Sequence, residues 1–327
     1  MCQCKFKNTV MKSTAVVFDR PKQLSLKALE LPEVKAGQLE VAVQYSGIST
    51  GAERMLWDGS MQALPGMSYP LVPGFETFGQ VVKAHQGSQV QEGDMVFVPG
   101  ANCFSGVKSM SGGAASRLVV SDQRVLPVSH QLGVDAVLLA LAATAYHAVS
   151  GGGLHEPFTP PDLIIGHGVM GRLLARLTVA AGCPAPTVWE TQAEVAKGAE
   201  GYNVIRPEDD SRRDYQAIYD VNGDACVLDD LIQRIRPGGE IVLAGFYKNG
   251  LQFSYPTAFN REARIRVAAE WKRSDLLAVN QLVNTGQLSL KGLVTHVQAF
   301  HAADAAYETA FGDVSCLKMV LDWSAHA

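Results

Sequence analysis

The chain has few cysteines, no excess of basic charge and no apolar run long enough to cross a membrane. Its six cysteines are scattered along 327 residues and follow no export signal, so we expect free thiols in a reducing, cytoplasmic setting. A net charge of −4 argues against a nucleic-acid surface, because such a surface needs a basic face. The longest apolar stretch, residues 134–149, is shorter than the ~20 residues of a membrane span and predicts a buried helix.

The first ten residues, MCQCKFKNTV, contain two lysines but no following apolar segment. That pattern does not match a secretory signal. Since the first strand-like run begins just after Met11, we expect residues 1–10 to form a disordered extension, or translation to begin at Met11. Cys2 and Cys4 could touch a metal ion, but two thiols at a loose terminus make a weak site.

Short apolar runs separated by Gly, Pro, Asp and Asn recur from about residue 12 to residue 130. Their spacing is typical of strands and favours a compact antiparallel barrel or sandwich. The predicted strands lie at residues 14–18, 39–47, 79–84, 95–100 and 116–121.

Strands and helices alternate after Pro127. This alternation predicts a parallel sheet with crossover helices on both faces. The predicted strands are 162–166, 187–190, 217–222, 240–247 and 265–270, and the predicted helices are 135–150, 169–182, 191–199, 227–235 and 273–285. The remaining runs, at 293–300, 302–311 and 318–323, form a tail too short for a domain, which we expect to return to the first half of the chain.

A glycine-rich turn, GHGVMG, joins the apolar strand LII to an amphipathic helix. In this context G-x-G-x-x-G indicates a dinucleotide-binding turn. The first glycine permits a tight turn, the second lets a pyrophosphate approach the helix N-terminus, and the third lets helix and strand pack closely. For His167 we expect either a pyrophosphate contact or an exposed side chain. The residues expected to bind the cofactor here are Gly166, His167, Gly168, Val169, Met170 and Gly171.

Glu190 ends the next strand, about 20 residues after Gly171. A carboxylate at this place binds the ribose hydroxyls and repels a 2′-phosphate, so the sequence favours NAD over NADP. The alternative is a solvated charge at a strand end. Val221, Gly245 and Phe246 lie at or near later strand ends, where they line the cofactor pocket or contribute ordinary packing.

Taken together, these segments resemble the medium-chain dehydrogenase/reductase superfamily. The resemblance covers nearly the whole chain and is carried by GISTGAE, PLVPGFETFGQVV, EGDMVFVPG, GHGVMG, RPGGEIVLAG and LVTH. It implies an α/β protein with a GroES-like β-rich catalytic domain and a Rossmann doubly wound parallel-sheet domain. We therefore expect an extension at 1–10, the catalytic domain at 11–130 completed by 273–327, and the Rossmann domain at 131–272.

Zinc-dependent members of that superfamily carry metal ligands that this chain lacks. Where they place a cysteine ligand the chain has Ser49, and the histidine of their GHE motif is replaced by Phe75, followed by Glu76. Only Cys103 lies where they often carry four cysteines for structural zinc. Because phenylalanine donates nothing to a metal and a hydroxyl is a poor zinc ligand, we expect no metal site.

A narrower resemblance is to the bacteriochlorophyllide a dehydrogenase family. It is carried by MKSTAVVFDRPKQLSL, by the zinc-lacking GFE, and by GHGVMGRL with TVWE. The resemblance implies NAD-dependent oxidation of the 3-(1-hydroxyethyl) group of a tetrapyrrole to acetyl, in bacteriochlorophyll biosynthesis. A zinc-free, NADPH-dependent reductase of enones or quinones and a non-catalytic dinucleotide-binding protein are the alternatives. The family resemblance also suggests a homodimer, whose subunits would meet through residues 240–247 or 265–270.

Without zinc, the oxidation needs a protein group that accepts or relays the hydroxyl proton. Ser49 or Thr50 could bond the substrate oxygen, although either could instead satisfy its own turn. His147 is a candidate because an imidazole titrates near neutral pH, and a buried core histidine is the alternative. Glu53 and Glu76 are further candidate bases, or else paired structural charges.

A flat macrocycle also needs a wide apolar wall. Aromatic and methionine side chains suit a large planar ligand, and a run of them falls in one Gly/Pro-containing stretch. We expect substrate contacts there and at Glu53, with an ordinary core loop as the alternative. The wall consists of Met55, Leu56, Trp57, Met61, Leu64, Met67 and Tyr69.

Overall fold

The computed structural model describes residues 11–61, 67–150, 158–248 and 250–326. The expected extension at residues 1–10, with Cys2 and Cys4, and Leu64 of the expected apolar wall lie outside the described residues.

The first part of the chain forms strands because β-branched and aromatic runs alternate with turn residues. All five strands expected there are present, together with an eight-residue strand, three two-residue strands and one helix that the pattern did not indicate. The elements are β1 (Lys12–Arg20), β2 (Gln23–Glu30), β3 (Gln38–Ile48), α1 (Ala52–Asp58), β4 (Leu71–Val72), β5 (Thr77–Ala84), β6 (Met95–Val98), β7 (Lys108–Ser109), β8 (Arg117–Ser121) and β9 (Leu126–Pro127).

The second part alternates strands with helices, as predicted, and three of its strands have only three residues each. The elements are a 3-10 helix (His130–Leu138), α2 (Leu139–Val149), β10 (Leu163–Ile165), α3 (Val169–Ala180), β11 (Thr187–Trp189), β12 (Asn203–Ile205), β13 (Tyr215–Asp220), α4 (Leu228–Arg234), β14 (Ile235–Leu243), α5 (Tyr255–Asn260), β15 (Arg264–Val267) and α6 (Arg273–Asn284). Further 3-10 turns lie at Pro207–Asp209 and Ala225–Val227.

The tail contains β16 (His296–Ala299), α7 (Ala303–Gly312) and β17 (Met319–Asp322), with 3-10 turns at Phe300–Ala302 and Ser324–His326. Strand β17 pairs antiparallel with the C-terminal half of β3. The N-terminal half of the same edge of β3 pairs with β8. The tail therefore completes a sheet that the first part of the chain begins.

Two sheets surround one apolar core in the β-rich part. One has the strand order β2-β1-β4-β7, and the other β16-β17-β3-β5-β6-β9 with β8 paired to β3. Most neighbours are antiparallel, as the sequence predicts for a barrel or sandwich. Side chains from both sheets, such as Phe18 of β1 and Val41 of β3, are buried in the shared core.

Strands β10 to β15 form one parallel sheet in the order β12-β11-β10-β13-β14-β15. If β10 to β15 are numbered 1 to 6 along the chain, this is the 3-2-1-4-5-6 order of doubly wound dinucleotide-binding sheets. The order confirms the predicted fold. The strand order reverses between β10 and β13, and ligands bind at the carboxyl ends of strands beside such a switch point. Because β14 lies inside the sheet, of the two strands considered for a dimer contact only β15 has an edge without a partner strand among the described residues.

The apolar stretch at 134–149 is a buried helix, as predicted. Its α-helical part, α2, packs against α3 and α6, and a non-helical Gly133 interrupts the 3-10 turn before it. By length and composition His130–Val149 resembles a membrane span, but 61% of its most apolar window is buried inside the protein.

The helix predicted at residues 191–199 is wrong, since these residues form turns. The Arg172 guanidinium binds the carbonyl oxygens of Val195, Lys197 and Gly198. Carbonyl oxygens in a helix accept from backbone N–H groups four residues on, and here a side chain takes that place. Gly198 also has a φ of +79°, outside the right-handed helical region. Contact with α3 therefore overrides local helix propensity.

Candidate functional site

The glycine turn lies between β10 and α3, at the switch point of the parallel sheet. Gly166 has a φ of +105°, which a side chain would oppose. A Cβ on Gly171 would lie 1.9 Å from the Gly166 carbonyl oxygen, so the turn and the helix touch directly. Gly168 caps α3, and no heavy atom lies within 4 Å of the place a Cβ would take. The helix N-terminus is thus open to an anion, and it fits a pyrophosphate.

Val169 and Met170 form the first turn of α3. The Val169 side chain is buried and that of Met170 is half-buried against the core of the parallel sheet. At such helix starts, the free backbone N–H groups of the first turn are the groups that bind phosphate oxygens.

Glu190 follows β11 directly, and its carboxylate is fixed from two sides. One oxygen accepts the His167 backbone N–H at 3.1 Å, and the other accepts the Gln192 backbone N–H at 2.9 Å. The carboxylate is therefore held beside the glycine turn, where the ribose next to the pyrophosphate would lie. The carboxylate is therefore not a freely solvated strand-end charge, and its role as a ribose ligand stays a prediction.

The His167 imidazole points into the protein and not toward the phosphate site. Its Nδ1 lies 2.7 Å from the Val195 carbonyl oxygen, and its Nε2 lies 2.8 Å from the Tyr202 hydroxyl. Burial lowers the pKa of His167 to about 4, so the ring is neutral at pH 7. Contrary to both expectations, the side chain neither contacts a pyrophosphate nor is exposed, because both ring nitrogens have partners in the interior.

The carboxyl ends of β13 and β14 approach each other closely at the cofactor side. A Cβ on Gly245 would lie 3.0 Å from the Gly223 nitrogen, and one on Gly223 would lie 2.2 Å from the Phe246 carbonyl oxygen. Val221 is half-buried, and Phe246 is 57% exposed. The Phe246 ring comes within 3.4 Å of where a Cβ on Gly51 would be, so the end of β14 faces the segment that follows β3.

Asp220 is a buried carboxylate at the end of β13 that sequence reasoning did not single out as functional. It accepts the Tyr247 hydroxyl at 2.8 Å and the Asn222 backbone N–H at 2.9 Å. Burial raises the pKa of Asp220, while the Tyr247 hydrogen bond lowers it. The residue ties the turn after β13 to the loop after β14. Its place at the end of an apolar strand was the available signal.

Ser49 and Thr50 lie in the turn between β3 and α1, next to Gly51, which faces the Phe246 ring after β14. Ser49 is buried and Thr50 is exposed. The Ser49 backbone N–H donates to Glu53 at 3.2 Å, which fixes the turn. The turn therefore carries one buried and one exposed hydroxyl group next to the cleft, the place where the β-rich part faces the carboxyl ends of β13 and β14.

Glu53 faces the interior, where it is only 2% exposed. Its carboxylate accepts hydrogen bonds from the Ser49 N–H and from the hydroxyl of Tyr307 on α7. Burial raises the pKa of Glu53 to about 7, and the two hydrogen bonds lower it. This placement corrects the expectation that Glu53 touches the substrate, because its oxygens are engaged inside the protein.

Glu76 is also buried and forms an ion pair with Lys318, which lies just before β17. Burial raises the pKa of Glu76, and the ammonium group lowers it. A Cβ on Gly47 would lie 2.3 Å from Glu76 Oε2 and 2.9 Å from Lys318 Cε, so only glycine leaves room for the pair. Of the two interpretations of Glu76, the paired structural charge fits this placement better than an accessible base.

His147 is buried on α2, and its Nδ1 lies 2.8 Å from Asp275 Oδ2 on α6. The same oxygen accepts the Lys272 backbone N–H at 2.6 Å. This contact fixes the ring and joins two helices beside the parallel sheet. The arrangement suits an oriented imidazole, and it equally serves as a structural contact between helices.

The expected apolar wall is folded largely into the β-rich core. Met55 and Leu56 are buried, and Trp57 packs against Phe18, Tyr307 and Phe311 in edge-on and tilted pairs, with ring centroids 5.2 to 6.5 Å apart. Three others are half-buried against the same core: Met61, Met67 and Tyr69, whose hydroxyl donates to the Leu56 carbonyl oxygen.

Lys248 follows β14 and forms an ion pair with Asp58, the last residue of α1, at 2.7 Å. This contact joins the loop at the cofactor side of the parallel sheet to the β-rich part. No pattern in the sequence indicates it, because the two residues belong to segments that are far apart in the chain.

Among the described residues, no group of three or more His, Cys, Asp or Glu side chains converges as metal ligands. Neither Ser49 nor Phe75, which stand where the resemblance implies the ligands of zinc-dependent members, offers a thiolate or an imidazole. The donor set on this side of the cleft therefore does not fit a zinc ion.

Comparison with known proteins bears on the family. The model of the alcohol dehydrogenase GroES-like domain matches residues 35–130. The chain is 48% identical over 322 residues to the 2-desacetyl-2-hydroxyethyl bacteriochlorophyllide A dehydrogenase of Cereibacter sphaeroides. The alignment covers 97% of this chain and 100% of that relative. The chain is 49% identical over 314 residues to the protein of the same name from Rhodobacter capsulatus, spanning 96% and 99%.

The solved structure of acetophenone reductase from Geotrichum candidum, in complex with NAD, is similar in fold. It has a TM-score of 0.80 at 19% identity and covers 95% of this chain and 97% of that one.

Proposed function

We propose that this chain, which belongs to the bacteriochlorophyllide a dehydrogenase family of the medium-chain dehydrogenases/reductases, oxidises a 3-(1-hydroxyethyl) group of a bacteriochlorophyllide to acetyl with NAD and without zinc. Two near-full-length relatives whose names carry that activity support the reaction class. The observation that carries the choice of NAD is the Glu190 carboxylate held beside the glycine turn.

The glycine turn would bind the pyrophosphate, Glu190 the adenosine ribose, and Val221, Gly245 and Phe246 the side of the pocket toward the cleft. When bound, nicotinamide supplies the acceptor for the hydride that leaves the carbinol carbon. The hydroxyl proton leaves separately, so the protein must receive it.

We place the reacting hydroxyl group next to Ser49 and Thr50. The approach of the Phe246 ring to Gly51 supports this, because it shows that the turn after β3 lies opposite the cofactor side of β14. Exposed Thr50 offers a hydrogen-bond partner with access to water, through which the proton can leave. His147, whose imidazole is oriented by Asp275, is the side chain that we propose as the alternative acceptor.

The macrocycle would lie against the outer side of α1 and the exposed Phe246 ring. Trp57, Met67 and Tyr69 are half-buried, so each presents part of its surface beyond the core. Planar apolar surfaces of this kind suit a tetrapyrrole face.

The test is turnover by the purified full chain with a 3-(1-hydroxyethyl) bacteriochlorophyllide and either NAD or NADP. Reduced cofactor is followed by its absorbance, and the acetyl product by the red shift of the macrocycle. We expect kcat/KM with NAD to exceed that with NADP by about tenfold or more, unchanged after dialysis against a chelator.

Three outcomes would contradict parts of this proposal. Turnover only with NADPH and an enone or quinone would replace the reaction by a reduction. Cofactor binding with no turnover of any of these substrates would indicate a non-catalytic protein. Stoichiometric zinc that resists dialysis would overturn the metal-free part alone.

A further inference from the structure

Arg172 is a buried arginine whose hydrogen bonds all go to main-chain carbonyl oxygens. It lies on α3, directly after the glycine turn. Its Nε donates to His167 at 3.0 Å, and its Nη1 donates to Gly198 at 3.3 Å. Its Nη2 donates to Val195 at 2.8 Å and to Lys197 at 2.7 Å. A buried guanidinium is costly unless its donors are satisfied, so these four carbonyl groups define where it can lie.

These contacts fasten the segment after Glu190 to the start of α3. The Val195 carbonyl oxygen receives both the Arg172 guanidinium and the His167 ring, and Tyr202 holds the other ring nitrogen. The segment is therefore held by an arginine on one side and an imidazole on the other. Its own backbone adds two turn hydrogen bonds, which the Ala196 and Lys197 N–H groups donate to the carbonyl oxygens of Gln192 and Glu194.

The main chain of His167 connects this fastening to the ribose site. Its carbonyl oxygen accepts from Arg172, and its N–H donates to Glu190 at 3.1 Å. The other Glu190 oxygen accepts from Gln192, which lies at the beginning of the fastened segment. Arg172 holds His167 directly, and Gln192 is joined to the fastened residues by the Ala196 N–H, which donates to the Gln192 carbonyl oxygen at 3.0 Å.

We propose that Arg172 is a positioning residue that sets the preference for NAD over NADP, an inference that rests on the proposed function. By holding His167 and residues 195–198, it keeps Glu190 aimed at the ribose hydroxyl groups. It also keeps its own charge from a 2′-phosphate, because main-chain carbonyl oxygens accept from four of its five N–H groups. Arginine beside this site is the group that otherwise accommodates a 2′-phosphate, so the arrangement withholds the partner that NADP needs.

The experiment compares Arg172→Met and Arg172→Lys with a matched control, Arg176→Met. Arg176 lies one helical turn further along α3 and also donates to carbonyl oxygens, those of Ser289 and Lys291 at 2.9 and 3.0 Å. KM and kcat are measured with NAD and with NADP, and calorimetry gives the affinity for AMP, which carries the adenosine half of NAD.

For Arg172→Met we expect KM for NAD and Kd for AMP to rise about tenfold, as the loss of charged hydrogen bonds would cause. We expect kcat at saturating NAD to change less than about twofold, because the reacting end is untouched. The ratio of kcat/KM for NAD to that for NADP should fall. Arg172→Lys keeps the charge but not the planar fork, so it should show the same changes at about threefold. The control should keep both the KM and the ratio.

The cofactor preference of the arginine variants is compared with that of Glu190→Ala. If the wild-type chain does not prefer NAD, the proposed function fails, whatever the arginine variants do. If the wild-type chain prefers NAD and Glu190→Ala weakens that preference, an Arg172→Lys protein with wild-type KM and ratio would overturn the inference. Arg172→Lys decides the question even if Arg172→Met does not fold, and an equal effect from Arg176→Met would also refute a specific role.

Discussion

Glu53 combines near-complete burial with two hydrogen bonds, and the balance between these effects sets its charge. Burial disfavours the ionised carboxylate, whereas the donors from Ser49 and Tyr307 favour it. Burial is the larger effect, so the pKa rises from an ordinary value of 4.5 to about 7. The carboxylate of buried Glu76 adds a smaller push in the same direction.

This shift predicts how Glu53 affects stability. Between pH 4.5 and 7 the folded chain keeps a proton on Glu53 that the unfolded chain has lost, so the free energy of unfolding falls as the pH rises. Relative to Glu53→Gln, the wild-type chain should lose up to about 1.4 kcal/mol per pH unit in that window and level off above it. Urea unfolding of both proteins from pH 4.5 to 8 measures the difference.

Exposed Glu30, on β2, provides the control for removing one negative charge. Glu30→Gln should give a curve parallel to that of the wild-type chain. Parallel curves for Glu53→Gln as well would mean that Glu53 does not hold a proton in the folded state near neutral pH.

Single residues were predictable where the chemistry lies in a local motif. The glycine turn and Glu190 follow from strand, turn and helix signals that are adjacent in the sequence. The partners of Glu53 and Glu76 do not, because Tyr307 and Lys318 come from the far end of the chain. A sequence pattern reports what neighbours in the chain do, and these pairs exist only once β17 lies beside β3.

At the scale of elements, the long apolar strands and α3 were predictable because their periodicity agrees with their burial. Residues 191–199 were not, since TQAEVAKGA has good helix propensity and its turns are imposed by Arg172 from another element. Short strands such as β4, β7 and β12 also escaped prediction. Two or three residues carry too little alternation to be distinguished from a loop.

At the start of α3, the roles of Gly168 and Gly171 can be distinguished by experiment. Gly171→Ala should lower the free energy of unfolding by about 1–3 kcal/mol or more, because its methyl group would overlap the Gly166 carbonyl oxygen. Gly168→Ala should cost less than about 1 kcal/mol, since its φ of −69° suits alanine and nothing lies within 4 Å. The added methyl group would nevertheless stand where phosphates approach, so KM for NAD should rise severalfold.

Chemical denaturation and steady-state kinetics of the two variants give these values. A folded, stable Gly171→Ala protein would show that the turn and helix have more freedom than their contact implies. An unchanged KM in Gly168→Ala would remove the pyrophosphate from this helix start.

At the scale of the whole molecule, alternation of strands and helices was enough to predict a parallel sheet, and it could not give the strand order. That order follows from right-handed crossovers and burial on both faces, which act between elements. The division at residues 1–10, 11–130, 131–272 and 273–327 stays a prediction. The contacts between the two parts of the molecule are not encoded in any segment, and the pair formed by Lys248 and Asp58 is an example.

That pair leads to a prediction about the cleft. The side chains are 48% and 20% exposed, so Lys248→Met should change the free energy of unfolding by less than about 1 kcal/mol. The ion pair connects the loop after β14 to the end of α1, next to Trp57, and its loss should let the cleft widen. We therefore expect KM for the alcohol at saturating NAD to rise about two- to fivefold, the equivalent of one partly exposed ion pair.

The matched control is Lys27→Met, because Lys27 pairs with Asp19 at similar exposures, 42% and 33%, within the β1–β2 hairpin. It should have an equally small effect on stability and none on KM. The difference in KM between the Lys248→Met and wild-type proteins should shrink as salt is raised toward 1 M, where charges are screened beyond about 3 Å. If KM is unchanged at low salt, or if the rise persists undiminished at 1 M, the ionic contact does not control the cleft.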